Sequence, residues 1–459
     1  MPRRWQLGPI AVVIIVIAPG TSNHLNADDT RHSGFRLADA PEATYSPDPN
    51  DCWNRIFYFL FSRKFDALLS SQFPEGAPFR ALEGMPGALN NLQVSTRTFE
   101  RTETGDRPID PLYPSFFTDL GARPILNDPG YADLHKALEQ AIAENRPRSV
   151  MARAIMQNDL WSAYDILYRY TKRGEPSLAA RRDELLRLFG RMIRKIALTP
   201  GEIHSLPENY QAARQQNTLP DLFGKDSGWL ELQWFRRRMH DESVDNRRAV
   251  RIFVKPLMPP QNTQKFLNRF RRQYEDHTAY LQGVALVTQL LVIDSLGHIE
   301  PTAITTEVQV RRFHDNHGAI LPRTEIEVSE IRRKKIVSEP DSGGLVPQRE
   351  DDPVYASTAG NDYTFLSRQS LKREWGPPVV VKLRTRCVLC HGSDDLKNLM
   401  TFGLIVFPHM HIPPVQELDR RTHQAAEFVA ERKMKAENWA ALRMNFDSAA
   451  EPVSPGTPP

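Results

Sequence analysis

From Cys52 to Leu69 the apolar residues Trp53, Ile56, Phe57, Leu60, Phe61, Phe65 and Leu68 return at three- and four-residue steps, which predicts an amphipathic helix. Three more helices follow: one capped by Asp133 and running through Leu134, Leu138, Ala141 and Ile142; one from Val150 to Tyr170; and one from Leu178 to Leu198, with Leu185, Leu188, Phe189, Met192 and Ile193 along one side. Trp161, Tyr164, Tyr168 and Tyr170 keep helical spacing, so they read as core rather than as an electron relay or a stacking strip. Near residue 247 the period shortens from about 3.6 to 2. Ala249 to Lys255 alternates Val250, Ile252 and Val254 with Arg251 and Phe253, and Val284 to Asp294 is a nearly continuous apolar run. Ile304, Thr306, Val308 and Val310 fall on one face, as do Ile326 and Val328 within Glu325 to Ile331, and Ser295-Leu296-Gly297-His298 supplies a hairpin turn.

Between these elements the composition changes. Residues 28–50 are polar and hold Pro41, Pro47 and Pro49, a leader outside the fold, with order beginning near Asp51. Residues 70–130 are rich in proline and glycine. Pro340, Gly343, Gly344, Pro347 and Pro353 give 338–360 the composition of a linker. Pro377 to Val381 is extended and apolar, Val415 to about Met444 reads as one last helix, and the tail 448–459 is disordered by composition. The expected architecture is α+β multidomain: a mainly helical part (51–225), a β-rich middle domain (226–337), the linker, and a small, mainly helical C-terminal segment (361–447).

The first 27 residues predict export. Arg3 and Arg4 precede an apolar run from Leu7 to Ala18, and small or polar residues follow up to Ala27, a plausible cleavage point; an uncleaved N-terminal anchor is the alternative. The run is shorter than the roughly 20 apolar residues of a bilayer span, and no later segment approaches that length, so the mature chain should have no membrane span. Without Arg3 and Arg4 the 59 Lys and Arg fall to 57 against 56 Asp and Glu. That balance excludes nucleic acid as the main partner. Arg236-Arg237-Arg238 and Arg332-Arg333-Lys334-Lys335 read as solvated faces, with a docking patch for an acidic redox partner as the other reading.

Cys387-Val388-Leu389-Cys390-His391 carries the chemistry. It is CxxCH, the spacing at which two thiols form thioethers to the vinyl groups of haem and the adjoining imidazole becomes an axial iron ligand. With three cysteines and 13 histidines in 459 residues, chance would give about 0.0006 such matches. Around the motif, roughly residues 361–447, the chain resembles the c-type cytochromes. The resemblance implies one covalent haem c, thioethers at Cys387 and Cys390, His391 as proximal ligand and an extracytoplasmic, periplasmic site. In such proteins a methionine downstream of the motif supplies the sixth ligand. Met410, in Phe407-Pro408-His409-Met410-His411-Ile412-Pro413-Pro414, is the first choice. His409 and His411 are rivals, and Met400 lies only nine residues past His391. Met434 and Met444 fall in the predicted last helix, where methionine usually packs in the core. A structural zinc ion would need two further Cys or His ligands, which His409 and His411 offer.

Cys52 is left over, as a small buried residue beside Trp53 or as an intermolecular disulfide partner. His298, His314 and His317 lie near the hairpin; they read as surface-turn residues, with metal or distal haem ligation as the alternative. No GxSxG, P-loop or HExxH occurs. The layout as a whole resembles bacterial exported proteins that end in a single haem motif. One haem with no second redox centre favours electron transfer to a partner oxidoreductase. An open-site haem enzyme acting on peroxide or a small oxyanion, and a haem-based sensor, remain the other classes.

Overall fold

A computed structural model describes residues 43–61, 129–170, 178–216, 219–234, 248–258, 281–313, 324–347 and 423–448, with the short pieces 35–37, 41, 63–65, 125–126, 262–263, 265–266, 353–356, 379–382 and 415–418. In chain order the elements are β1 (Phe35–Leu37), α1 (Cys52–Phe61), β2 (Arg63–Phe65), α2 (Gly130–Ala143), α3 (Val150–Tyr170), α4 (Ala179–Lys195), α5 (Pro200–His204) and α6 (Asn209–Gln216). Then come β3 (Leu230–Trp234), β4 (Arg248–Pro256), β5 (Leu281–Ile293), β6 (Ile299–Phe313), β7 (Thr324–Ile331), α7 (Arg333–Ser338) and β8 (Leu345–Pro347). β9 (Pro353–Ala356), β10 (Val379–Lys382), β11 (Val415–Leu418), α8 (Gln424–Lys433) and α9 (Glu437–Ser448) complete the series. The class is α+β, with an antiparallel sheet in the order β11-β3-β4-β5-β6-β7-β8; β1-β2 and β9-β10 pair separately.

Register explains how the sheet meets the helices. Phe253, Ala285 and Val310 lie abreast, as do Arg251, Val287 and Val308, and the apolar members of this face join the helices in one core. Val254, Val284 and Arg311 share the opposite face, where Leu232, Val254, Val284 and Leu286 are also buried. Burial on both faces is why β5 reads as continuous apolar sequence rather than as an alternation. A register shift follows Thr288. It moves Thr306 out of line with Ile304 and Val308, and the Thr306 hydroxyl bonds that of Thr288 at 2.7 Å. The sequence placed Thr306 on the Val308 face; the bulge separates them.

Two helix amides replace missing strand partners. Asn209 of α6 donates to the Thr305 carbonyl (2.9 Å) and accepts from its N–H (2.7 Å). Gln157 of α3 makes the same pair with Ile293, at 2.8 and 2.7 Å. Buried backbone groups beside an irregular ladder are thereby satisfied, which locks the helical layer to the sheet.

Several sequence expectations are corrected. The Cys52–Leu69 helix stops at Phe61, because the polar triplet Ser62-Arg63-Lys64 breaks its apolar face and Arg63–Phe65 pairs with Phe35–Leu37. Helix α2 begins at Gly130, so Asp133 lies in its first turn, at the positive end of the helix dipole, rather than at the cap. The fold starts before Asp51: Thr44, Tyr45 and Ser46 are buried, and Asn54 binds the Thr44 and Tyr45 amides and the Ser46 carbonyl. The stretch after 338 is no mere linker up to 347. Gly343 turns at φ +74°, a Cβ there would lie 2.4 Å from the Asn209 carbonyl oxygen, and β8 then adds to β7 with Leu345 buried. The run 415–444 divides: β11 joins the sheet edge beside β3, and α8 and α9 are separate helices. Helix α9 buries Trp439, Leu442 and Phe446 and crosses α4 at Gly190, where a Cβ would come within 2.6 Å of Asn445 Cβ. The helices before residue 217, the sheet and the two terminal helices thus share one core.

Candidate functional site

Cys387, Cys390, His391, Met400, His409, Met410 and His411 lie outside the described residues, as do the leader 1–34, Arg236-Arg237-Arg238, His314 and His317. On either side of the motif, β10 ends at Lys382 and β11 begins at Val415. Met434 and Met444 are both at the surface, against the expectation of core packing, because α8 ends at Met434 and the buried side of α9 is Trp439, Leu442 and Phe446. Trp161 and Tyr164 are core, as their spacing suggests, and Tyr168 donates to Glu437 at 2.9 Å.

Cys52 is half-buried, with Sγ 3.6 Å from Glu144 Oε2. Burial, then the charges of Glu144 and Asp51, push its thiol up to about 12. It is a poor nucleophile and a poor metal ligand at neutral pH.

One group of chemistry-bearing side chains gathers on the β5–β6 hairpin. Asp294, His298 and Glu300 bring one ligating atom each to within 4.8 Å of one another. Asp294 closes the turn: its Oδ1 accepts from the backbone N–H groups of Leu296 (2.9 Å) and His298 (2.7 Å), and its Oδ2 faces His298 Nδ1 at 3.5 Å. Gly297 supplies the positive φ of +77°. The turn is tied to its surroundings, since Ser295 N–H donates to the Leu198 carbonyl at 2.8 Å and Arg443 of α9 donates to the Gly297 carbonyl. Burial, then Asp294 and Glu427, raise the Glu300 carboxyl, while His298 and His204 oppose the shift. Asp294 is buried and the His298 side chain is 55% exposed, so the group opens to solvent.

Two buried ion pairs carry charge into the core. Arg333, read from its basic run as solvated, is 1% exposed and grips Asp159 of α3 through Nε (3.0 Å) and Nη2 (2.8 Å). It stacks 4.9 Å from the Phe57 ring centre, and Tyr45 donates its phenolic proton to Asp159. Burial, then the Asp159 charge, raise the Tyr45 phenol well above its ordinary value, so it stays a donor. Arg251 holds Glu231 in the same bidentate way, at 2.9 and 2.7 Å, between Phe223 and Phe253. These pairs are enclosed and fully engaged, which suits positioning rather than turnover. Sequence reasoning singled out His298 as a candidate ligand but missed Asp294 and Glu300, whose signal is only their place on either side of the hairpin turn.

Among the described residues no helix is long and apolar enough to cross a membrane. Comparison with protein-family models, curated proteins and solved structures finds no match to this chain.

Proposed function

We propose that the chain is an exported c-type haem protein that transfers single electrons to and from a partner oxidoreductase, through one haem bound at Cys387 and Cys390. The observation that carries this reading is the CxxCH sequence at 387–391 behind an export leader. In it His391 is the proximal ligand and Met410 the sixth, with His409, His411 and Met400 as the competing donors. Haem so held supplies a one-electron iron couple whose potential follows from the axial ligand and from burial. The third cysteine, Cys52, lies at the start of α1 with its thiol against Glu144, and the reading gives it no part in holding the haem.

The test is a pyridine haemochrome spectrum with intact mass, on protein exported from a host with c-type maturation machinery. One covalent haem, absent from the Cys387→Ala, Cys390→Ala double variant, is the expected result. A folded, haem-free protein from that host overturns the reading. Rapid binding of carbon monoxide or cyanide would replace electron transfer by open-site haem chemistry.

A further inference from the structure

We propose that the β5–β6 hairpin is a binding site for one divalent first-row transition-metal ion, held by the carboxylates of Asp294 and Glu300 and the imidazole of His298. Metal–ligand distances of about 2.0–2.2 Å put the donors of one ion about 3–3.6 Å apart. The three donor atoms already lie within 4.8 Å of one another, so the gap to a closed set is about 1–2 Å, to be taken up by the His298 and Glu300 side chains around a fixed Asp294.

The strongest sign is Asp294 itself. Its side chain is 3% exposed, and its two oxygens do different work. Oδ1 is fixed by two backbone N–H groups, which orients the carboxylate as an outer-sphere hydrogen bond orients a metal ligand. Oδ2 points at the His298 ring from 3.5 Å, at the outer limit of a hydrogen bond. A buried carboxylate oxygen directed at an imidazole, with a second carboxylate alongside, presents a cation with three donors at one point.

The surroundings agree. The charged and titratable groups that face the hairpin are Asp294, His298 and Glu300 themselves, Glu427 of α8, His204 of α5 and Arg443 of α9. Arg443 is engaged by the Gly297 carbonyl and by Asp447 at 2.8 Å, so the carboxylates outnumber the available positive charge. The backbone is rigid where rigidity matters, pinned by Leu198, by Gln157 on Ile293 and by the Gly297 turn. Exposed His298 provides the entry path.

The donor set of one nitrogen and two carboxylate oxygens suits Zn²⁺, Mn²⁺ or Ni²⁺ better than Mg²⁺, which favours oxygen and water. Three protein ligands leave positions open for water or a small anionic ligand. The site does not depend on the haem reading.

The test is Zn²⁺ titration of the full-length, chelator-treated protein by isothermal calorimetry, with thermal unfolding in parallel. The wild type is expected to bind one Zn²⁺ at this site and to gain in Tm as the ion is added. His298→Ala and Glu300→Gln, both at partly exposed positions and checked by circular dichroism, are expected to weaken binding by at least about tenfold and to abolish the gain. Asp294→Asn keeps an oxygen for the two turn amides and is expected to lose binding while keeping the hairpin. No binding by the wild type, or unchanged binding in His298→Ala and Glu300→Gln, overturns the site.

Discussion

Arg333→Ala offers the sharpest perturbation of the described core. The guanidinium and its partner are 1% and 2% exposed as side chains, so removing the cation leaves the Asp159 carboxylate in the interior with the Tyr45 hydroxyl as its remaining side-chain donor among the described residues. Breaking a buried pair from one side costs about 3–5 kcal/mol, and losing the stack on Phe57 adds about 1 kcal/mol. Asp159→Asn attacks the same pair from the other side and should cost a similar amount. The double variant Asp159→Asn, Arg333→Met removes both charges while keeping an apolar stem over Phe57 and an acceptor for Tyr45. It should therefore be much less damaging than the sum of Asp159→Asn and Arg333→Met, each measured alone, by a coupling energy of about 2–3 kcal/mol. Urea unfolding followed by the fluorescence of buried Trp53, Trp161 and Trp439 reads this as a shift of midpoint at constant slope. A cost below about 1 kcal/mol for Arg333→Ala, or a double variant equal to the sum, would refute the pair as a joint between the early segment, α3 and α7.

Three further outcomes are expected. Gly343→Ala combines a positive φ of +74° with a Cβ 2.4 Å from the Asn209 carbonyl and 2.5 Å from the Ala213 nitrogen, and should lower stability by about 2–3 kcal/mol in the same urea assay. Cys52, with its thiol near 12, should be about 0.01% thiolate at pH 8; mass spectrometry should find it unmodified by iodoacetamide until the protein is unfolded, and rapid native labelling would contradict the Glu144 contact. Burial, then Arg251, hold His423 below its ordinary 6.5. A depressed folded value means that the unfolded chain takes up the proton first, so stability is complete above the ordinary value and falls as pH drops through it toward the folded one. His423→Gln should flatten the fall of the unfolding midpoint as pH drops below the ordinary 6.5, and an unchanged slope would show that His423 does not set it.

The strands were the most legible part of the chain. Val250, Ile252 and Val254 alternate in sequence as they do in β4, and the Gly297 turn announced itself by composition. What escaped was set by partners far away in sequence. Arg333 sits in a basic run like any solvated one, and only Asp159, 174 residues earlier, makes it a core residue. Tyr45 stands among prolines and reads as leader until Asn54 and Asp159 claim its neighbourhood. Val415–Leu418 is too short for its period to separate strand from helix, and its neighbour β3 is the reason it is extended. The bulge after Thr288 leaves no mark in the pattern, since its compensation is the side chain of Asn209. For the site, the hairpin histidine was visible, whereas its union with Glu300 is a matter of pleat and turn geometry.

The crossing of α9 over α4 at Gly190 bears on the order of events as the chain is made. Residues 437–448 are made after every strand of the sheet, yet Trp439 packs on Trp161 with ring centres 5.8 Å apart, and Phe446 lies under Arg194 of α4. Until they arrive, the apolar strips of α3 and α4 have no cover, and long-range pairing of this kind is slow to form. The helical layer is therefore complete only once α9 has been made, and a chain cut before Glu437 would present the Trp161 and Arg194 surfaces of α3 and α4 to solvent.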